Sequence, residues 1–128
     1  MRLLLDTHAF LWSISAPDRL SGRARRAIED GANDVFLSAA SAWEIAIKAG
    51  LGRISLPQDP ERFVPDQMAQ NSIQPLPVQL GHALKVLALP DLHRDPFDRL
   101  LVAQAMAEGL TLVSGDRRLA GYAVKLLW

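Results

Sequence analysis

The chain has 128 residues, 49% hydrophobic and 22% charged, a composition typical of a globular protein rather than a disordered chain or a coiled coil. Fourteen basic and fourteen acidic residues cancel, which excludes a strong overall field that would draw the protein onto nucleic acid or a membrane. The lack of cysteine excludes disulfides, thiolate metal sites and cysteine nucleophiles. This length predicts a single domain over residues 1–128. Because no apolar run is long enough for a signal peptide or a membrane span, we expect a cytoplasmic protein.

The first half of the chain alternates short apolar runs with helical patterns. Leu3–Leu5 and Val35–Leu37 are short and apolar, which is typical of buried strands. Ser21 is a residue type that caps helix N-termini, and Gly31 follows the end of that helical pattern. The predicted elements in chain order are a strand over 3–5, a helix over about 9–14 that ends near Pro17, a helix over about 21–30, a strand over 35–37 and a helix over about 39–49.

Proline divides the second half of the chain. Pro65 is predicted to start, kink or end any helix near residues 63–70, because proline removes a helical hydrogen bond and clashes with the preceding turn. Asp95 as N-cap, Pro96 at the first helical position and Gly109 after the last turn mark the ends of the clearest helix. The other predicted elements are an edge strand over 73–76, a helix over about 80–87 that ends before Pro90, a strand over 111–113 and a strand over 124–127.

Strands separated by helices indicate parallel pairing, with helices on both faces of the sheet. We therefore expect an α/β fold, a three-layer α/β/α sandwich around a mainly parallel central sheet. Asp6 directly follows the first strand, and Asp116 follows the strand over 111–113 after a short bend. Both carboxylates are therefore predicted at the carboxyl edge of the sheet, where such folds bind ligands. Each is alternatively a simple N-cap of the next helix.

Glu44 has both a structural and a functional interpretation. It can complete a capping box with Ser41, and it can pair with Lys48 one helical turn later. If Ser38 is the true N-cap, however, the capping box disappears. The acid then lies in the apolar segment Trp43–Ile47, where a carboxylate is costly unless it is paired or binds a metal.

Asp98 is predicted to point inward. On its helix it shares a face with Leu101, Val102 and Ala105. An acid in the first turn that only stabilises the helix dipole would not need to lie on this inward face. Asp95, in contrast, is predicted to be structural as the N-cap. Together with Asp6, Glu44 and Asp116, Asp98 would form an acidic pocket that needs a cation.

Other sequence signals of chemistry are weak. The spacing of His8, His82 and His93 does not suit zinc, so each is expected to be a surface or hydrogen-bonding residue. The aromatic residues expected in the core rather than as base-stacking platforms are Trp12, Trp43 and Phe97. The sequence has neither a glycine-rich phosphate loop nor the nucleophile motif of α/β hydrolases.

Four segments along the whole chain resemble PIN-domain ribonucleases of the VapC toxin type: Leu4–Ala9, Ser41–Lys48, His93–Leu101 and Ser114–Asp116. The resemblance implies a PIN-like fold and a Mg²⁺- or Mn²⁺-dependent endoribonuclease. It also implies that the protein is the toxin of a toxin–antitoxin pair, held inactive by a cognate antitoxin protein and often homodimeric.

The resemblance also assigns roles to single residues. It implies an acidic quartet formed by Asp6, Glu44, Asp98 and Asp116. Asp6 and Asp98 would be the primary metal ligands, while Glu44 and Asp116 would order water or a second ion. This assignment agrees with the preference of Mg²⁺ for oxygen ligands.

Residues beside the quartet are given supporting roles. Thr7 and Ser114 match hydroxyl positions of the family, although the residue at the position of Ser114 is commonly threonine. Three nearby arginines are expected to hold flanking RNA phosphates: Arg94, Arg99 and Arg117.

The sequence leaves two alternatives to RNA cleavage. A phosphoacceptor signalling domain of the receiver type is also a short α/β protein, but it requires adjacent acids after the first strand, whereas Thr7 follows Asp6. A PIN-like binding module without activity would not need all four acids. The sequence therefore favours the nuclease.

Overall fold

Five short strands form one all-parallel sheet in the computed structural model, which describes residues 1–128. They are β1 (Arg2–Leu5), β2 (Asp34–Ser38), β3 (Ile73–Leu76), β4 (Thr111–Val113) and β5 (Lys125–Leu127). Their order across the sheet is β3-β2-β1-β4-β5, so β1 is the central strand. Leu5, at the end of β1, is in register with Leu37 of β2 and Val113 of β4. The carboxyl ends of three neighbouring strands therefore lie side by side.

Six α-helices connect the strands: α1 (Thr7–Ser15), α2 (Gly22–Glu29), α3 (Ala39–Gly50), α4 (Pro60–Gln70), α5 (Leu80–Lys85) and α6 (Pro96–Glu108). Short 3₁₀ turns cover Pro17–Arg19, Val86–Ala88 and Arg117–Gly121. None of the helices is both long and apolar enough to span a bilayer.

Two hydrophobic cores flank the sheet, because successive side chains of a strand point to opposite faces. Leu3 and Leu5 pack on one face with Phe10 of α1, Ile45 of α3 and Phe63 of α4. On the other face, Leu4 and Leu112 pack with Leu101 and Val102 of α6. These two cores confirm the predicted three-layer α/β/α arrangement.

Most predicted elements are confirmed to within two residues, and the ends of α6 show why. Asp95 accepts hydrogen bonds from the backbone N–H groups of Phe97 and Asp98, at 2.8 and 3.2 Å. Gly109 ends the helix in the left-handed region, with φ 67°, which glycine adopts without steric cost. These signals are local in sequence and therefore readable without the fold.

Pro65 was predicted to start, kink or end a helix near residues 63–70, and a start or an end at Pro65 is wrong. Helix α4 begins at Pro60, where the missing N–H costs nothing, and continues through Pro65 to Gln70. Phe63 and Val64 are buried on this helix. Their burial offsets the loss of one backbone hydrogen bond at Pro65.

Trp43 also differs from the expectation. It was predicted in the core, yet 63% of it is exposed, and its ring contacts only the edge of Phe97 among the aromatic residues, at 5.4 Å between centroids. The face of α3 that carries Trp43 turns away from the sheet, because Ile45 fills the core position of this turn.

We predict that Asp95→Ala lowers the free energy of unfolding by about 0.5–2 kcal/mol, because it removes the acceptor for two backbone donors at the start of α6. Asp95→Asn keeps a capping side chain and removes the same negative charge, so it should remain within a few tenths of a kcal/mol of the native protein. Urea denaturation measures both. Equal destabilisation by Ala and Asn would show that the charge of Asp95, and not its cap, stabilises the helix.

Candidate metal centre

The four predicted acids converge at the carboxyl edge of the sheet. Asp6 directly follows β1, and Asp116 is the third residue after the neighbouring β4. Glu44 reaches the same place from α3, and Asp98 from the first turn of α6. The negative charges of Asp6 and Glu44 each raise the pKa of Asp98, which shows that these three carboxylates interact.

Asp6 is buried at the centre of this cluster, with 7% of its surface exposed. Its carboxylate accepts the backbone N–H of Ala9 at 2.7 Å and so caps α1. This cap makes α1 begin at Thr7, two residues earlier than predicted. Burial raises the pKa of Asp6, although hydrogen bonds from the Ser114 side chain and from Ala9 oppose that effect. Asp6 therefore caps α1 and also lies within the acidic cluster.

Glu44 is buried and held by two polar side chains. The Thr7 hydroxyl donates to its Oε1 at 2.7 Å, and the Lys48 ammonium donates to its Oε2. Ser38 is the N-cap of α3, accepting from Ala40, so the capping box with Ser41 does not form. The Ser41 hydroxyl instead lies 3.0 Å from that of Thr7. This network fixes the position of the Glu44 carboxylate.

His93 bridges two of the acids, a role that the sequence did not reveal. The backbone N–H of Asp95 donates to its Nδ1 at 3.0 Å, so the ring proton must be on Nε2. Nε2 lies 3.2 Å from Asp98 Oδ2 and 2.9 Å from Asp116 Oδ2. One buried imidazole therefore orients both carboxylates. The only sequence signal was its place in the polar segment just before the N-cap of α6.

Asp98 has no lysine or arginine partner in the cluster. Burial, together with the negative charges of Asp95 and Asp6, raises its pKa to about 7, and nearby His93 lowers it only partly. Ionised Asp98 is therefore unfavourable near neutral pH unless a cation approaches it.

Asp116 is in the opposite situation, because an arginine neighbours it. Arg118 donates from Nε to Oδ1 at 3.0 Å and from Nη2 to Oδ2 at 2.9 Å, a two-point contact. The Arg118 guanidinium holds the pKa of Asp116 well below its usual range. In this structure Asp116 thus faces Arg118 and His93, and Arg118 is a further site residue that the sequence reasoning missed. Its signal was a second arginine two residues after the acid.

The three arginines predicted to bind phosphate occupy different environments. Arg94 and Arg117 are exposed. Arg99 donates to the backbone carbonyls of Pro90 and Val86 and to the Tyr122 hydroxyl, at 3.0–3.1 Å. These bonds tie α6 to the segment before it and to Tyr122 after it, and they oppose the predicted role of Arg99 in holding RNA.

The donor set suits a hard divalent cation. It consists of carboxylate oxygens. His93, whose Nε2 carries the ring proton, lies within 4.8 Å of oxygens from Asp98 and Asp116 as a hydrogen-bonding neighbour and not as a ligand. Mg²⁺ and Mn²⁺ prefer such oxygen ligands. The raised pKa values of Asp6 and Asp98 fit the same conclusion, because a bound cation would favour their ionised forms.

Comparison with known proteins gives consistent results. Residues 3–125 match the family described as the PIN domain. The chain is 35% identical over 121 residues to Ribonuclease VapC22 of Mycobacterium tuberculosis, covering 94% of this chain and 91% of that protein. It is similar in fold, at 15% identity and a TM-score of 0.74, to the VapBC2 structure from Rickettsia felis bound to a promoter DNA fragment, with coverage of 99% and 98%. A DNA-bound VapBC structure from Salmonella typhimurium gives 18% identity, a TM-score of 0.67 and coverage of 99% and 97%.

The raised pKa of Asp98 predicts a pH-dependent stability. Its folded-state pKa of about 7 lies above the ordinary aspartate pKa of 3.8, so the folded protein holds the proton more tightly. This contribution to stability is complete below about pH 4, falls as the pH rises and is lost above about pH 7. Asp98→Asn should therefore stabilise the metal-free protein at about pH 8, by at most about 4 kcal/mol, and have little effect at about pH 4.

Thermal unfolding in EDTA across this pH range measures the difference between native protein and variant. Asp66→Asn, which neutralises an exposed acid on α4, controls for the loss of one negative charge. A stability difference between Asp98→Asn and the native protein that did not change with pH would contradict the prediction.

Proposed function

The chain belongs to the PIN-domain family, and from this premise we propose that it is a metal-dependent endoribonuclease that hydrolyses RNA phosphodiester bonds. The observation that carries the proposal is the convergence of four carboxylates at one sheet edge, of which Asp6 and Glu44 are buried and Asp98 is held at a pKa of about 7. The relative that is 35% identical over 94% of this chain is named a ribonuclease.

The carboxylates have different roles in this proposal. Asp6 and Asp98 hold Mg²⁺ or Mn²⁺, because they are the two acids whose pKa is raised and which gain most from a cation. A divalent cation at this place would stabilise the negative charge that develops on the phosphate and would favour ionisation of water.

Glu44 orients the attacking water. Each of its oxygens accepts one hydrogen bond from the protein, from Thr7 or Lys48, and each keeps a second lone pair for water. Ser114 hydrogen-bonds to Asp6 and accepts the backbone N–H of Asp116 at 3.1 Å, so this hydroxyl positions two of the acids.

Asp116 completes the site once Arg118 moves away from it. Arg118 is 68% exposed along its side chain, so water can replace its contacts with little loss. Asp116 would then orient water or a second ion, and Arg118 would join Arg94 and Arg117 as an exposed cation available to phosphate.

We further propose that the protein is the toxin of a toxin–antitoxin pair. The relatives in solved structures are VapBC and FitAB complexes, and one is described as a toxin–antitoxin complex from Klebsiella pneumoniae. The partners of this chain would be an RNA substrate, a cognate antitoxin protein and a second copy of itself, and it would act in the cytoplasm, where RNA is available.

The receiver-type alternative is not favoured. Its reaction needs a second acid beside Asp6, and Thr7 at that position instead donates to Glu44. The family match and the ribonuclease relative also point away from phosphoacceptor signalling.

We predict that Asp6→Asn lowers the rate of RNA cleavage in Mn²⁺ by about 100-fold or more, because it removes a charge that the metal and the transition state both require. The amide can still accept the N–H of Ala9, so the fold should be retained. A labelled RNA assay, with circular dichroism as the folding check, measures this effect, and Asp66→Asn is the control. Full activity of folded Asp6→Asn would remove Asp6 from the site.

We predict that Mg²⁺ or Mn²⁺ raises the melting temperature of the native protein. Two carboxylates 4 Å apart repel by about 4 kcal/mol at an effective dielectric of 20, and a cation relieves this repulsion. Asp98→Asn should lose most of the response, whereas Asp91→Asn, which changes an exposed acid, should keep it. No shift in the native protein at saturating metal would contradict a shared metal pocket.

A further inference from the structure

A basic and aromatic groove adjoins the acidic edge along α1. A cavity of about 390 Å³ is lined by the acids Asp6 and Asp116 and by Trp12, Arg19 and Trp128. A second cavity, of about 550 Å³, shares Trp12 and Arg19 with the first and continues to Lys48 and Arg53. Shared lining residues make them two parts of one depression, here called the Trp12 groove. It leads from the carboxylates to three basic side chains.

The aromatic part of the Trp12 groove consists of flat surfaces close together. The Arg19 guanidinium carbon lies 4.8 Å from the centroid of the Trp12 ring. The centroid of the Trp128 ring lies 6.1 Å from that of the Trp12 ring. The centroid of the His8 ring, one turn before Trp12 on α1, lies 5.5 Å from that of Trp12. Aromatic rings and guanidinium planes are the surfaces on which unpaired nucleobases stack.

The basic part of the Trp12 groove has unused hydrogen-bonding capacity. Arg19 and Arg53 are both exposed, and neither side chain forms an ion pair, whereas nearby Arg25 pairs with Asp18 and Glu29. Each guanidinium carries five N–H donors in a planar fork that matches phosphate. Packing of Arg19 on Trp12 explains the position of this side chain but leaves its donors free.

The cations of the Trp12 groove lie next to an acidic site that must bind RNA, which is a polyanion. Carboxylates repel the phosphates on either side of the bond to be cut, and the chain has zero net charge to offset this. A strand whose scissile phosphate lies beside Asp6 must place neighbouring nucleotides in the adjoining space. Cations on that path would compensate the repulsion locally.

We propose that the Trp12 groove binds the RNA strand beside the bond that is cut. A nucleobase stacks on Trp12 and Arg19, and the flanking phosphates bind the free donors of Arg19 and Arg53. The inference rests on the proposed function, since it assigns a substrate subsite to the same site. It adds RNA contacts on the side of α1 to the exposed cations proposed above, which are Arg94, Arg117 and Arg118.

Binding is measured without cleavage, on full-length protein in EDTA, from the fluorescence anisotropy of a mixed-sequence single-stranded RNA of about ten nucleotides. Arg19→Ala should weaken binding by about fivefold or more, and Arg19→Lys by less, because lysine keeps the charge but not the stacking plane. Arg53→Ala should weaken binding and reduce the slope of log affinity against log salt by about one. The control Arg23→Ala removes an exposed arginine of α2 outside the groove and should bind like the native protein.

Unchanged RNA affinity in both Arg19→Ala and Arg53→Ala would overturn the inference, as would the absence of RNA binding by the native protein. It would also be overturned if these variants lost only the binding of a coexpressed protein partner, since the groove would then serve that partner. Cleavage in Mn²⁺ is recorded on the same samples. RNA bound through the groove but not cut would refute the proposed activity alone, whereas cutting with unchanged affinity in both variants would refute the groove alone.

Discussion

The burial of mutually repelling carboxylates at the end of the central strand is the constraint on which the rest of the site depends. Asp6 is nearly inaccessible to solvent, and the charges of Asp6 and Glu44 both act on Asp98. Such a cluster is stable only if each charge is compensated or protonated. Lys48 compensates Glu44 and Arg118 compensates Asp116, which leaves Asp6 and Asp98 as the two acids with a raised pKa.

Hydrogen bonds that build the fold also hold the site in position. The carboxylate of Asp6 caps α1, and His93 receives the N–H of Asp95 on one ring nitrogen while the other faces Asp98 and Asp116. Because these bonds connect different helices and loops, the orientation of each acid depends on the docking of its neighbours. The contacts that build the fold therefore also preorganise Asp6 and Asp98.

Although the net charge is zero, acidic and basic side chains are strongly separated within the protein. Acids gather at the sheet edge, while Arg19 and Arg53 lie without partners in the adjoining Trp12 groove. The sequence predicted that Arg99 binds phosphate, but its side chain instead forms structural hydrogen bonds within the protein. For a protein with no overall field, recognition of a polyanion depends on such local arrangements.

The sequence by itself determined the alternation of strands and helices, the parallel sheet and the edge at which Asp6 and Asp116 meet, because strand patterns, caps such as Asp95 and the end at Gly109 are local signals. It also identified the acids that converge. Only the tertiary structure decided that His93 bridges two of them, that Arg118 holds Asp116 and that Trp43 faces outward while Trp12 lines a groove. The Arg118–Asp116 contact is local, because the two residues are only two positions apart. The His93–Asp116 contact and the environments of the two tryptophans depend on distant elements packing together, such as α1 against Trp128. Local propensity carries no information about such contacts, since they arise from the shape of the assembled cores.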